Sequence, residues 1–245
     1  MNLTNESGTC YMCQNTLIEA DNVGVELNAC DPCLAEAQEE NTRRESIAGK
    51  EREQRIAGKK AEVTAALLDE TPELFRRTDI THPDFNATAW GKLKGHRVTE
   101  ELPWVGLVGM TGRCKTRMAY LYATGLIVHM TRERKASYAF VASYEITEAV
   151  SRLNGDFSEK AEARQYLDRL RKVDVLLIDD LGKGRLSPAV ASELFALIDH
   201  RHKHAEATVW TSNSPPEVFA AGLPEDIAGP FIGRINASSK IFTFR

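Results

Sequence analysis

The sequence predicts an α/β fold, a parallel five-stranded sheet with helices on both faces, behind a small cysteine-bearing module and a charged helical segment. Three observations carry this. The apolar run Trp104-Val105-Gly106-Leu107-Val108 breaks into a glycine-containing loop and then into a helical pattern from Met118 to His129. A second run of β-formers, Lys172 to Ile178, ends in the paired acids Asp179 and Asp180. From there to Lys240–Phe244, strand-like and helix-like segments alternate, the order that parallel sheets require.

The first element is a strand, a loop ending in Lys-Thr, and a helix: the arrangement of a phosphate-binding loop. Such a loop wraps phosphates with backbone N–H groups, aided by the positive end of the following helix. Here it comprises Gly109, Met110, Thr111, Gly112, Arg113, Cys114, Lys115, Thr116 and Arg117. Lys115 is expected to reach the β- and γ-phosphates, and the Thr116 hydroxyl to hold magnesium. The template places a second glycine where this chain has Cys114. A side chain there must avoid the phosphates, so a backbone without positive φ is expected at Cys114, with Gly112 supplying part of the flexibility. A glycine-rich turn without nucleotide is the competing account of the loop.

A buried parallel strand is mostly apolar, so acids at its carboxyl end point into the crevice where ligands bind. Asp179 takes the Walker B role in the magnesium shell. Asp180 polarises the attacking water, a role more often given to glutamate, whose extra methylene extends its reach. An ordinary strand end with solvated acids is the alternative. Together the two motifs read as a P-loop NTPase with ATP or ADP as ligand.

With 245 residues and 27.3 kDa, the chain can hold one sizeable core and a small accessory module. Hydrophobic content of 42% and charged content of 27% are those of a globular protein. No apolar run approaches the roughly 20 residues of a membrane helix. The segment Met1–Gly8 is polar and lacks a signal-peptide core, so no membrane association and a cytoplasmic location are expected. A net charge of −4 excludes a generally basic nucleic-acid coat, so any such contact must be a local patch.

Taken in order, residues 1–34 carry Cys10, Cys13, Cys30 and Cys33 as two C-x2-C pairs separated by sixteen residues. Four thiolates at that spacing suit tetrahedral structural zinc; two disulfides are the competing reading, disfavoured in a reducing cytoplasm. Residues 35–70 form a charged helical linker containing Gly49 and Gly58. It is either a solvated spacer or a partner-binding helix presenting Ile47, Ile56 and Val63. The main domain spans 71–245. It begins with an entry segment whose Leu74, Phe75, Phe85 and Trp90 are expected to pack onto it. Tyr138–Ser143 reads as the second strand, Tyr144–Leu153 and Ser158–Arg171 as helices, and Ala207–Asn213 as the fourth strand. Pro188–His204 is a helix with Ser187 as N-cap and proline at its first position.

The Gly109–Thr116 loop, the run Ile178-Asp179-Asp180-Leu181-Gly182 and the strand end Thr211-Ser212-Asn213 resemble the AAA+ ATPases of the DnaC/DnaI/IstB group, from about Phe75 to Arg245. The resemblance implies the AAA+ sheet order 5-1-4-3-2, and a subunit lacking a helical lid. It assigns Asn213 to the sensor that lies between the two motif strands, with a strand-end turn residue as the plainer reading. It assigns Arg234 to an arginine finger that reaches the nucleotide of a neighbouring subunit, against a helix-end arginine capping carbonyls. Arg201 matches a further interface arginine. Lys183 and Arg185, just past the aspartates, become candidates for DNA phosphates, against a solvated turn.

The resemblance therefore implies an ATP-dependent helicase loader, cellular or phage-encoded. It would dock a replicative helicase through its N-terminal region, bind single-stranded DNA through its ATPase domain, and self-associate with ATP. Its hydrolysis would be slow and dependent on assembly. A transposition regulator of the IstB kind acting on duplex DNA, and a weakly hydrolysing nucleotide-binding adaptor, are the alternatives. A small-molecule P-loop kinase fits less well, because no lid segment follows Asp180.

Overall fold

The structure is a computed structural model and describes residues 31–245 apart from 77, 79, 82–84, 132–134, 184–185 and 245. Cys10, Cys13 and Cys30 lie outside the described residues. The chain divides into two compact units, residues 1–58 and 59–245, so the division falls inside the expected linker. Helix α1 (Asp31–Glu70) is continuous through Gly49 and Gly58. Its charged surface carries pairs such as Arg44–Glu40 at 2.9 Å.

In the second unit, Val63 and Leu67 are buried with Leu93 and Met118. That burial removes Val63 from any face presented to a partner, and it gives the last turns of α1 a tertiary reason to be helical. Two short helices follow, α2 (Glu73–Arg76) and α3 (Ala87–Gly95), the latter capped by Asn86, whose Oδ1 accepts from Ala89 N. Phe85 is buried and Phe75 stacks on Tyr120, as expected of the entry segment, but Leu74 is exposed.

Next come β1 (Trp104–Gly109), α4 (Lys115–Met130), β2 (Tyr138–Ala142), α5 (Ser143–Arg152) and α6 (Phe157–Lys172). The chain continues through β3 (Val175–Asp179), α7 (Pro188–Lys203), β4 (Ala207–Ser212), α8 (Pro216–Ala220), α9 (Glu225–Ser238) and β5 (Ser239–Phe244). β3 starts later than the β-forming run suggested. Asp174 instead receives the N–H and hydroxyl of Ser137, both at 2.7 Å, and ties the two strand starts together. Helix α9 is foreseen only in the alternative reading of Arg234 as a helix-end residue, since the stretch contains Gly229-Pro230. It forms because Ile227, Phe231 and Ile235 recur every fourth residue and are buried, which outweighs the lost proline donor.

All five strands are parallel in the order β2-β3-β4-β1-β5, as the AAA+ resemblance implied. The inner strands are buried along nearly their whole length because helices cover both faces. One core holds Trp104, Trp210, Phe231 and Ile235; the other holds Val105, Leu107, Met118 and Val209. Gly106 is dictated by this packing: a Cβ there would lie 2.3 Å from the Trp210 ring. β4 separates β1 from β3, so both motif strands and the end of β4 open on one crevice at the carboxyl edge.

Candidate nucleotide-binding site

The loop after β1 is shaped by backbone geometry. Gly109 adopts φ 155°, and a Cβ there would meet the Phe244 carbonyl oxygen at 2.2 Å, so β5 itself demands glycine. Gly112 is at φ 81°. Cys114 corrects the expectation, for it does take a positive φ, 56°. The fold imposes the template's left-handed turn on a residue with a Cβ, at a cost of about 1–2 kcal/mol. Cys114 is half-buried against the Leu107–Met118 core, so its side chain is accommodated there.

Helix α4 starts at Lys115, earlier than its apolar pattern suggested. Its N-cap, Cys114, makes no side-chain cap, and its first turn holds no acid. The first N–H groups thus face the loop beside Lys115 and Arg117, which suits an anion. Arg117 donates to Leu74 O at 2.6 Å and lies over the Phe75 ring, joining the entry segment to this end of the helix.

Four elements converge here. Lys115, only 6% exposed, donates from Nζ to Met110 O (2.9 Å) and to Asn213 Oδ1 (3.0 Å). Burial pushes its ammonium below the ordinary lysine value, and Asp180 and Asp179 pull it back up. The Thr116 hydroxyl donates to Asp179 Oδ1 at 2.9 Å. Tyr120, buried beside Asp179 and Glu145, has its hydroxyl pushed up to about 12, mainly by burial, and stays neutral. Asp180 has φ 56°, and Lys183 Nζ lies 2.8 Å from its Oδ2.

Sequence reasoning missed Thr211. Its hydroxyl donates to Asp179 Oδ1 (2.6 Å) and accepts from Asp180 N (2.9 Å), while its carbonyl accepts from Leu181 N (2.7 Å). Ser212 Oγ donates to Leu181 O at 2.7 Å. The end of β4 thus holds both aspartates in place, two residues before Asn213. Its signal was the Thr211-Ser212 pair, polar residues inside a strand that is buried along its whole length.

Other expected residues lie elsewhere. Arg234, on α9, donates to Asp199 Oδ1 at 3.1 Å, lies over the Phe195 ring and is 35% exposed. Lys203 also pairs with Asp199 at 2.6 Å, and the two cations hold that carboxyl below its ordinary range. Arg201 is a correction. It is fully buried and donates to the carbonyls of Leu170 (3.0 Å), Val173 (2.9 Å) and Ala207 (2.6 Å), so it cannot reach a neighbouring subunit. Burial lowers its guanidinium to about 10. Lys183 is engaged by Asp180, and Arg185 lies outside the described residues.

The parallel sheet with this order, the loop on α4 and the acids at the end of β3 define the class, an AAA+ P-loop ATPase. A sequence profile of the IstB-like ATP binding proteins matches residues 42–236, and the chain belongs to that family. No curated protein matches the chain significantly. Among solved structures, that of DnaI is 19% identical and matches 71% of this chain and 94% of its own, with a TM-score of 0.52. The DnaC helicase loader is 18% identical over 70% of this chain and 96% of its own, with a TM-score of 0.50. The replication initiator DnaA bound to AMPPCP and single-stranded DNA is 14% identical over 64% of this chain, with a TM-score of 0.48. This chain spans only 45% of that DnaA chain.

Proposed function

We propose that the chain is an ATP-switched assembly factor on DNA that loads a replicative helicase. The observation that carries the reading is the convergence of Lys115, Thr116, Asp179 and Asn213 from three strand ends on the loop of α4. Lys115 holds the β- and γ-phosphates, with the loop from Gly109 to Arg117 around them. The Thr116 hydroxyl and Asp179 carboxylate, two oxygens already in contact, are hard donors that fit magnesium. When bound with the triphosphate, that ion neutralises charge developing on the phosphate oxygens. Asp180 orients the attacking water and Asn213 its partner phosphate. Arg234 supplies positive charge to the nucleotide of the next subunit, after exchanging Asp199 for it.

Likeness of fold to the DnaC helicase loader supports a helicase as the protein partner, and single-stranded DNA is the track that the resemblance of the sequence implies. Residues 1–34 then form the docking module, with Cys10, Cys13, Cys30 and Cys33 as a structural zinc set, and Lys183 and Arg185 touch DNA phosphates. Sedimentation of the full chain with ATP and oligothymidylate tests this: assembly needing both ligands is expected, and a particle monomeric under both overturns it.

The family match favours a second reading, an IstB-like transposition regulator. Assembly on duplex DNA in preference to single strands in the same experiment selects it. Turnover near zero in wild type, Lys115→Ala and Asp180→Ala alike would indicate a nucleotide-binding adaptor.

A further inference from the structure

The distal half of α4 borders a cavity that the nucleotide reading does not use. Gly125 lies ten residues past Lys115, about 15 Å along the helix axis at 1.5 Å per residue. The cavity, about 320 Å³, lies between α3, the segment after it and α4. Its floor is apolar, from Trp90, Leu121 and Leu126, and its rim carries Lys94, Arg97 and His129. Among the described residues, no carboxylate lines it, in a chain whose net charge is −4.

Gly125 adds an independent observation. Glycine is a poor residue for a helix interior, yet a Cβ there would meet nothing within 4 Å. No neighbour among the described residues calls for it. Its absence of side chain leaves the helix backbone open to whatever enters the groove.

We infer that this groove docks an acidic protein segment that inserts one bulky apolar side chain between α3 and α4. The rim selects negative charge, and the floor rewards an apolar anchor. Nucleic acid fits less well, because stacking bases need open ring faces. Trp90 is half-buried with its ring edge-on to Phe85 at 6.2 Å, and Tyr122 is buried, its hydroxyl donating to His96 O at 3.3 Å.

The probe is a short fluorescein-labelled peptide with glutamates flanking a leucine pair, added to the full chain. Binding is read by anisotropy and by quenching of Trp90, since Trp104 and Trp210 are fully buried. The double variant Lys94→Glu/Arg97→Glu, which changes only exposed side chains, and the groove-filling variant Gly125→Leu are each expected to weaken binding about tenfold or more. Thermal melts of both confirm folding, and ATP turnover is unchanged. Replacing the leucine pair by serine abolishes binding. Equal affinity in wild type and both variants, or no binding at all, overturns the proposal. So does competition by oligothymidylate that both variants abolish, which would make the groove a nucleic-acid surface. Binding of anilinonaphthalene sulfonate alone would make it a small-molecule pocket and equally overturn it.

Discussion

Lys115 Nζ lies 3.0 Å from Asn213 Oδ1, although 98 residues separate them in the chain. The contact exists because β4 is inserted between β1 and β3, which puts the end of β4 beside the phosphate loop. It links the lysine proposed to grip phosphate to the strand whose Thr211 holds both aspartates.

Lys115→Ala removes a buried cation with charge-assisted hydrogen bonds, each worth about 1.5–3 kcal/mol. ATP affinity, measured by calorimetric titration, should fall between about ten- and a hundredfold. Turnover should be lost, and the unliganded chain, deprived of the bonds to Met110 and Asn213, should melt a few degrees lower.

Thr211→Val keeps the side-chain shape and removes the hydroxyl that serves Asp179 and Asp180. With about 1 kcal/mol lost per hydrogen bond, turnover should drop about tenfold and the magnesium concentration for half-maximal rate should rise. Thr211→Ser should restore both. A Thr211→Val enzyme with a normal magnesium requirement would reduce Thr211 to a packing residue.

Cys114→Gly relieves the left-handed strain of about 1–2 kcal/mol, and glycine's greater chain entropy takes back roughly 0.5–1 kcal/mol. Stability should therefore rise by between about 0 and about 1.5 kcal/mol. Cys114→Val places a β-branched residue at φ 56° and should cost at least about 2 kcal/mol. Thermal denaturation should show a midpoint lower by about 4–8 °C.

Lys183→Ala frees the Asp180 carboxylate from its ion pair at 2.8 Å. Turnover without DNA should rise roughly two- to threefold, and stimulation by single-stranded DNA should shrink, because the competing cation is gone. Stability should be unaffected, as expected for an exposed pair. An unchanged ratio of stimulated to basal rate would remove Lys183 from the coupling.

Arg201→Met leaves the carbonyls of Leu170, Val173 and Ala207 without their donor in the core. The loss should be about 3 kcal/mol, a fall in thermal midpoint on the order of 10 °C. Nucleotide affinity of the folded fraction should be normal, which separates this framework role from a role at a subunit interface.

Much of the site was legible because its chemistry is local. The Gly109–Thr116 loop and the Asp179-Asp180 strand end each hold their candidate groups within a few residues, so spacing alone picks them out. Arg201 and Thr211 were not legible. Arg201 has the composition of a surface residue, and only packing of α6, α7 and β4 turns it into a buried donor to their carbonyls. Thr211 reads as an ordinary β-former until β3 lies beside it. Helix α9 was hidden by Pro230, whose local penalty is overridden by the burial of Phe231 and Ile235.

By itself the sequence determined the strand-loop-helix unit, the acidic strand end and the alternation that makes the sheet parallel. These follow from short-range periodicity and from turn chemistry. Only the tertiary structure decided that Cys114 takes a left-handed turn, that Arg201 is internal, and that Lys183 pairs with Asp180. Arg201 depends on which distant carbonyls folding brings within hydrogen-bond distance, Cys114 on the path the loop takes between β1 and α4, and Lys183 on the turn at Asp180; residue type and spacing record none of these.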